Sequence, residues 1–231
     1  VAEKQVFEYW SHAAAYLPMC DYRFSLPRKR AIAGGDKHWF NRDDHGRLMQ
    51  EIRARITAEG PLMARDFEQP RKGTAGWWDW KPAKKALEQL YMQGDLMVSD
   101  REGFQKPYDL TERALPPDVN TQMPDMHEFA AYLLNQQLGC HGLASLKGLT
   151  YQRRSAELRI AMKTLVNDRL AQGSLEQVQL ENGEVFVLET GALERPLPRL
   201  NNRMLILSPF DNSVIQRDRL RALFQYDYQI E

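Results

Sequence analysis

Cysteine is scarce: Cys20 and Cys140 in 231 residues are too few for a disulfide framework and fit a reducing compartment. The five histidines show no metal-ligand spacing, and Cys140-His141 is a pair without a second half. Neither a metal nor a cofactor is expected. No apolar run approaches bilayer-spanning length and no signal-peptide pattern is present, so no membrane partner is expected and the chain reads as cytoplasmic. Net charge is lacking too. With 31 basic residues against 31 acidic ones, no global field announces a nucleic acid, and any such case must come from local patches. No nucleophile-and-base constellation stands out. The chain opens on Val1 rather than Met, which leads to the expectation of a processed or truncated product.

What is present is an ordinary soluble composition, 43% hydrophobic and 27% charged, with periodic segments separated by breakers. Asp43-Asp44 opens a helix whose apolar positions Leu48, Ile52 and Ile56 recur every four residues, and Gly60-Pro61 stops it. Leu62 to Glu68 is a short helical candidate, followed by a breaker-rich loop, Gln69 to Gly76. Pro82 begins a helix with the stripe Ala83, Ala86, Leu87, Leu90 and Tyr91, ended by Gly94. Leu96 to Val98 and Tyr108 to Leu110 are strands flanking a charged hairpin, Ser99 to Lys106, that turns at Gly103. Helix, short helix, loop, helix, strand, hairpin, strand is the order of a winged helix.

The order then repeats. Asp125 caps a helix with Glu128 in a capping-box arrangement. A short segment, Leu143 to Lys147, and a long helix from Arg154 to Gln172 follow. Strands Leu175 to Val178 and Val185 to Leu188 flank a turn at Glu181-Asn182-Gly183. Gly94 and Gly173 stand 79 residues apart, Gly103 and Gly183 stand 80 apart, and matched landmarks in one order indicate a duplicated unit. The expected fold is mainly α with small β wings (α+β), in tandem winged-helix units. The expected divisions are 1–42, a remnant of a first winged helix plus connector; 43–118 and 119–192, two winged helices; and 193–231, the start of a β module. In this last part Met204 to Leu207 and Tyr226 to Ile230 read as strands and Asp218 to Phe224 as a helix.

Two stretches carry a local excess of four positive charges, Arg23 to Lys37 and Gly142 to Gln172, and each is either a solvated face or a DNA-facing surface. Pro70 to Lys81 sets Arg71 and Lys72 and two glycines before Trp77, Trp78 and Trp80. The tryptophans read as core anchors of the loop or as part of a binding surface. Arg71 and Lys72 are candidate phosphate contacts, and Lys81, Lys84 and Lys85 lie where a recognition helix begins. Arg101 and Lys106 in the first wing are offset by Asp100 and Glu102. Lys147, Arg153 and Arg154 give the second unit a comparable basic start, suited to backbone contact rather than base reading. His12 is either a structural histidine in an aromatic run or catalytic, and Asp211 either caps a turn or faces a cleft.

Those stretches carry a resemblance. Glu8-Tyr9-Trp10-Ser11-His12 with Pro18, Gly60-Pro61 with Arg65-Asp66-Phe67, Pro70 to Lys81, Gly94-Asp95-Leu96, Tyr108 to Thr111, and Leu207 to Asp211 with Arg217 and Leu223-Phe224 resemble the YcaQ (AlkX/AlkZ-like) family of bacterial winged-helix DNA glycosylases. The resemblance implies a monofunctional hydrolase of tandem winged helices closed by a C-terminal β module. Its implied partner is double-stranded DNA with N7-alkylated or crosslinked purines, from which it cuts the N-glycosidic bond. A monomer, nucleoid-associated when on DNA, is expected. By the resemblance, the family's catalytic Gln-x-Asp motif lies in the first winged helix, upstream of this sequence, and no equivalent of it is expected here. Gln179-Leu180-Glu181 is chemically similar but sits in the second wing, so the role is not transferred. Ala13 stands where the family has Glu, and Asn212-Ser213 where it has Asp-Pro. The expectation is therefore a fragment, mainly the duplex-binding part, inactive alone. Against this stand a non-catalytic winged-helix DNA-binding protein or regulator, and a protein-interaction use of the same units.

Overall fold

Phe7, Glu8 and Tyr9 are consecutive and all buried, so the first strand has no alternation for periodicity to detect. It is β1 (Val6–Trp10), paired antiparallel with β2 (Ala14–Pro18), from Val6 opposite Pro18 to Trp10 opposite Ala14. The computed structural model describes residues 4–11, 13–35, 46–67, 82–196 and 204–229, and the chain divides into two units, Val1–Pro124 and Asp125–Glu231. Asp43-Asp44, the loop 69–76 and Pro198 lie outside the described residues.

In the first unit, a 3-10 turn (Met19–Ser25) leads into α1 (Leu26–Gly34), which ends on Gly35 at φ +114. Helix α2 (Gly46–Glu59) buries Ile52 and Ile56, the two apolar positions four apart. The 3-10 turn Ala64–Phe67 and α3 (Pro82–Gln93) follow, with Ala86, Leu87, Leu90, Tyr91 and Met92 buried. Strands β3 (Leu96–Val98) and β4 (Tyr108–Leu110) pair antiparallel, and Leu62 adds a bridge to Tyr108. A single turn of helix, α4 (Thr111–Ala114), follows β4. Phe7, Tyr9, Tyr22 and Ile32 belong to the same core as Ile52, Leu87, Leu96 and Tyr108.

In the second unit, α5 (Met126–His141) starts with the expected capping box. Asp125 accepts from the Glu128 N–H at 2.7 Å and Glu128 accepts from the Asp125 N–H at 2.9 Å, an arrangement worth about 1 kcal/mol. The segment from Leu143 splits into β5 (Leu143–Ala144) and α6 (Leu146–Leu149), the latter capped by Ser145. Helix α7 (Ala156–Ala171), capped by Ser155, packs along α5. Strands β6 (Leu175–Gln179) and β7 (Val185–Glu189) complete a sheet of order β5-β7-β6. The repeat thus reaches a feature that periodicity missed. The second hairpin strand takes a neighbour from the segment before the third helix, Leu62 in one unit and β5 in the other.

The tail departs from expectation. Helix α8 (Arg217–Phe224) forms, but among the described residues 204–207 and 226–229 form no strand. Met204 and Ile206 are 92% and 97% exposed. Alternation of apolar residues makes a strand only where a neighbour satisfies its N–H and C=O groups, and no partner strand stands beside this segment among the described residues. Gln216 anchors α8 instead: its Nε2 donates to Gln137 Oε1 at 2.7 Å and to the Gly148 carbonyl at 3.3 Å. A Cβ on Gly148 would stand 2.8 Å from Gln216 Oε1, so the Gln216 side chain would have to shift to admit one there.

Candidate nucleic-acid interface

The cations of the first hairpin do not face outward. Arg101 donates from Nε to Glu8 Oε2 at 2.8 Å and from Nη2 to the same oxygen. Lys106 Nζ lies 2.7 Å from Glu8 Oε1, an ion pair without hydrogen-bond alignment, and 5.3 Å from the Tyr91 ring. Glu8 is 3% exposed. The offset expected from Asp100 and Glu102 comes from a carboxylate 93 residues away in sequence, and Arg101 and Lys106 tie β1 to the hairpin base. A buried carboxylate demands such pairing.

Other residues of the family-like stretches are also structural. The Tyr9 hydroxyl donates to the Met92 carbonyl at 2.6 Å. Asp109 accepts from Arg113 Nε at 2.8 Å, and Arg113 Nη2 donates to the Ile56 carbonyl at 2.6 Å near the end of α2. Lys29 is 5% exposed, with its ammonium 4.0 Å from the Tyr22 ring centroid, 4.9 Å from Tyr9 and 5.6 Å from Phe7. Gly94 makes room for it. At φ +94 it ends α3, and a Cβ there would stand 2.9 Å from Lys29 Cδ.

Burial pushes Lys29 down to about 7, against the pull of the three ring faces. An unfolded Lys29 holds its proton up to about 10.5, so folding expels one between pH 7 and 10, and stability rises with pH across that window. Below pH 7 both states are protonated and this group adds no slope. Urea unfolding at pH 7, 8 and 9 is expected to show a gain approaching ~1.4 kcal/mol per unit, and Lys29→Met to flatten it. An unchanged slope in the variant would remove Lys29 as the cause.

Among the other expected contacts of this unit, Lys84 is exposed and Lys85 half-buried on α3. His12, Arg71, Lys72, Lys81 and the three tryptophans Trp77, Trp78 and Trp80 lie outside the described residues.

The second unit carries a groove. Between α6 and the start of α7 is a cavity of about 880 Å³ whose lining, among the described residues, includes Lys147, Arg153, Arg154, Arg159 and Lys163 and no acid. The chain enters it through a turn in which Gln152 takes φ +58 and the Arg153 N–H donates to the Thr150 carbonyl at 2.9 Å. The Arg153 guanidinium lies 5.8 Å from the Phe129 ring centroid, and Arg159 Nη2 donates to the Arg153 carbonyl at 3.4 Å. Lys147 pairs with Asp218 of α8 at the rim. Arg154, Arg159 and Lys163 are exposed. Lys147, Arg153 and Arg154 were expected from sequence. Arg159 and Lys163 were not, although their four-residue spacing on α7 puts both on one face. Such a groove attracts an extended anion.

Asp211 serves its own turn. Its carboxylate accepts the Ser213 N–H at 2.8 Å, which holds it below the usual carboxylate range. Gln179 and Glu181 sit at the exposed β6–β7 turn, where Gln179 Nε2 donates to the Gly183 carbonyl at 3.5 Å.

Fold and groove together define an α+β protein built from a repeated helix-and-hairpin unit, one copy of which presents a cationic groove beside its long helix. The family model for AlkZ-like DNA glycosylases matches residues 1–231, and the chain belongs to that family. Its fold is similar to that of the DNA glycosylase AlkZ of Streptomyces sahachiroi, with a TM-score of 0.50 at 17% identity over 84% of this chain. The chain spans 55% of that protein's length.

Proposed function

We propose that this chain is the duplex-holding part of a DNA-repair glycosylase that hydrolyses the N-glycosidic bond of N7-alkylated purines and unhooks interstrand crosslinks. The two repeated units are winged helices in this reading, and the acid-free groove at α6 and α7 is the observation that carries it. Its cations suit a phosphate backbone, which positions a duplex without reading sequence. N7 alkylation turns the purine into a cationic leaving group, so the chemistry needs little acid catalysis and chiefly a carboxylate or amide that stabilises an oxocarbenium-like sugar and places a water. Asp211 accepts the Ser213 N–H on one carboxylate oxygen and holds its own turn. The protein acts as a cytoplasmic monomer, without metal or cofactor.

The test is release of base from a 7-methylguanine duplex, together with binding of the same duplex. The chain is expected to bind and to release no base, because the acids of its three Gln-x-Asp triplets, Gln93-Gly94-Asp95, Gln216-Arg217-Asp218 and Gln225-Tyr226-Asp227, are engaged within the fold: Asp95 with Gln93 and Arg53, Asp218 with Lys147, and Asp227 with Arg221. Base release by this chain would overturn the division of labour and return attention to His12. A footprint confined to one palindromic sequence would instead favour a regulator.

A further inference from the structure

At the tip of the β3–β4 hairpin Phe104 is 99% exposed, so its ring forgoes all the stabilisation that burial brings. The tip is closed by a two-residue turn: the Glu102 N–H donates to the Gln105 carbonyl at 3.2 Å, and the Gln105 N–H to the Glu102 carbonyl at 3.0 Å. Positive φ falls on Gly103, at +61, and not on Phe104, the arrangement of a tight hairpin turn with glycine at its first central position. Beneath it, Arg101 spans from the buried Glu8 to the Phe104 carbonyl, which accepts from Nη1 at 3.3 Å. Arg65 pairs with Glu102 at 3.0 Å on the outer side. The hairpin therefore turns its cations inward and holds an apolar ring outward on a braced tip. This inverts the arrangement suited to touching phosphates.

We infer that Phe104 is a wedge that enters between adjacent bases of the bound duplex and unstacks them. This rests on the duplex-holding reading. Base faces are the apolar surface a duplex offers to a protruding ring, and stacking on them tolerates any sequence. The backbone that carries the ring is already braced, so the ordering that insertion demands is confined to the Phe104 side chain. The helix leading into this hairpin carries Lys84 and Lys85, which suits approach to a polyanion rather than to an apolar protein surface.

The test uses the full chain and duplexes with 2-aminopurine at successive positions, whose fluorescence rises on unstacking. Wild-type protein is expected to raise the signal severalfold at one position. Phe104→Ala is expected to abolish the rise and weaken binding roughly tenfold, with an unchanged melting temperature, and Phe104→Trp to restore both. Binding with no rise at any position, or a rise that survives in Phe104→Ala, would overturn the wedge alone. Failure of the wild type to bind would overturn the duplex reading beneath it. Self-association lost in Phe104→Ala would assign the ring to a second copy and overturn the wedge.

Discussion

Glu8→Ala is expected to destabilise the first unit by about 3 kcal/mol, a large share of the roughly 5–15 kcal/mol that holds a domain together. The carboxylate is 3% exposed while Arg101 and Lys106 keep 29% and 25% of their side chains accessible. Removing it strands two half-buried cations against Tyr91 and the hairpin. Since both retain access to water, the loss falls at the low end of that for fully buried pairs. Urea denaturation measures it, and the triple variant Glu8→Ala/Arg101→Met/Lys106→Met is expected to recover part of the loss, because no unpaired charge remains. A loss below about 0.5 kcal/mol would reduce the cluster to an ordinary surface ion pair. The same change frees the base of the hairpin that carries Phe104, so unstacking by that ring is expected to weaken with it.

Arg154→Glu/Arg159→Glu/Lys163→Glu is the second large expectation, acting on binding instead of stability. All three residues are exposed and line the acid-free groove, so the melting temperature is expected to hold. Each reversal removes a charge-assisted contact and adds a repulsion, and together they are expected to weaken duplex binding by roughly 10²–10³-fold, equally across sequences. Fluorescence anisotropy with two unrelated duplexes reads this. Equal affinity in variant and wild type would move the interface elsewhere. Arg153 is left intact because its place against Phe129 mixes packing with charge.

Much of the repeated unit was legible in the sequence because its signals are local. The Asp125–Glu128 box, the glycine stop at Gly94, the hairpin turn at Gly183 and the stripe along α3 each involve residues within a few positions of one another. What escaped is long-range. Strand β1 has no alternation, since Phe7, Glu8 and Tyr9 are all buried, and the partners of Glu8 lie 93 and 98 residues away. Arg101 and Lys106 therefore read as wing cations when they are braces. The segment Met204 to Leu207 erred in the other direction: its apolar run satisfies a strand pattern, but a pattern supplies no partner. Arg159 and Lys163 lay in plain view on α7, and only the groove shows that they share a surface with Arg153 and Arg154.

Salt dependence of duplex binding by this chain tests the central claim most directly. If the groove neutralises phosphates, log K should fall linearly with log salt between 50 and 200 mM, with a slope of roughly −3 to −5 at about −0.9 per phosphate, and be the same for damaged and undamaged duplex. A slope near zero, or no binding at 50 mM salt, would contradict the assignment of this chain as the duplex-holding part of a glycosylase.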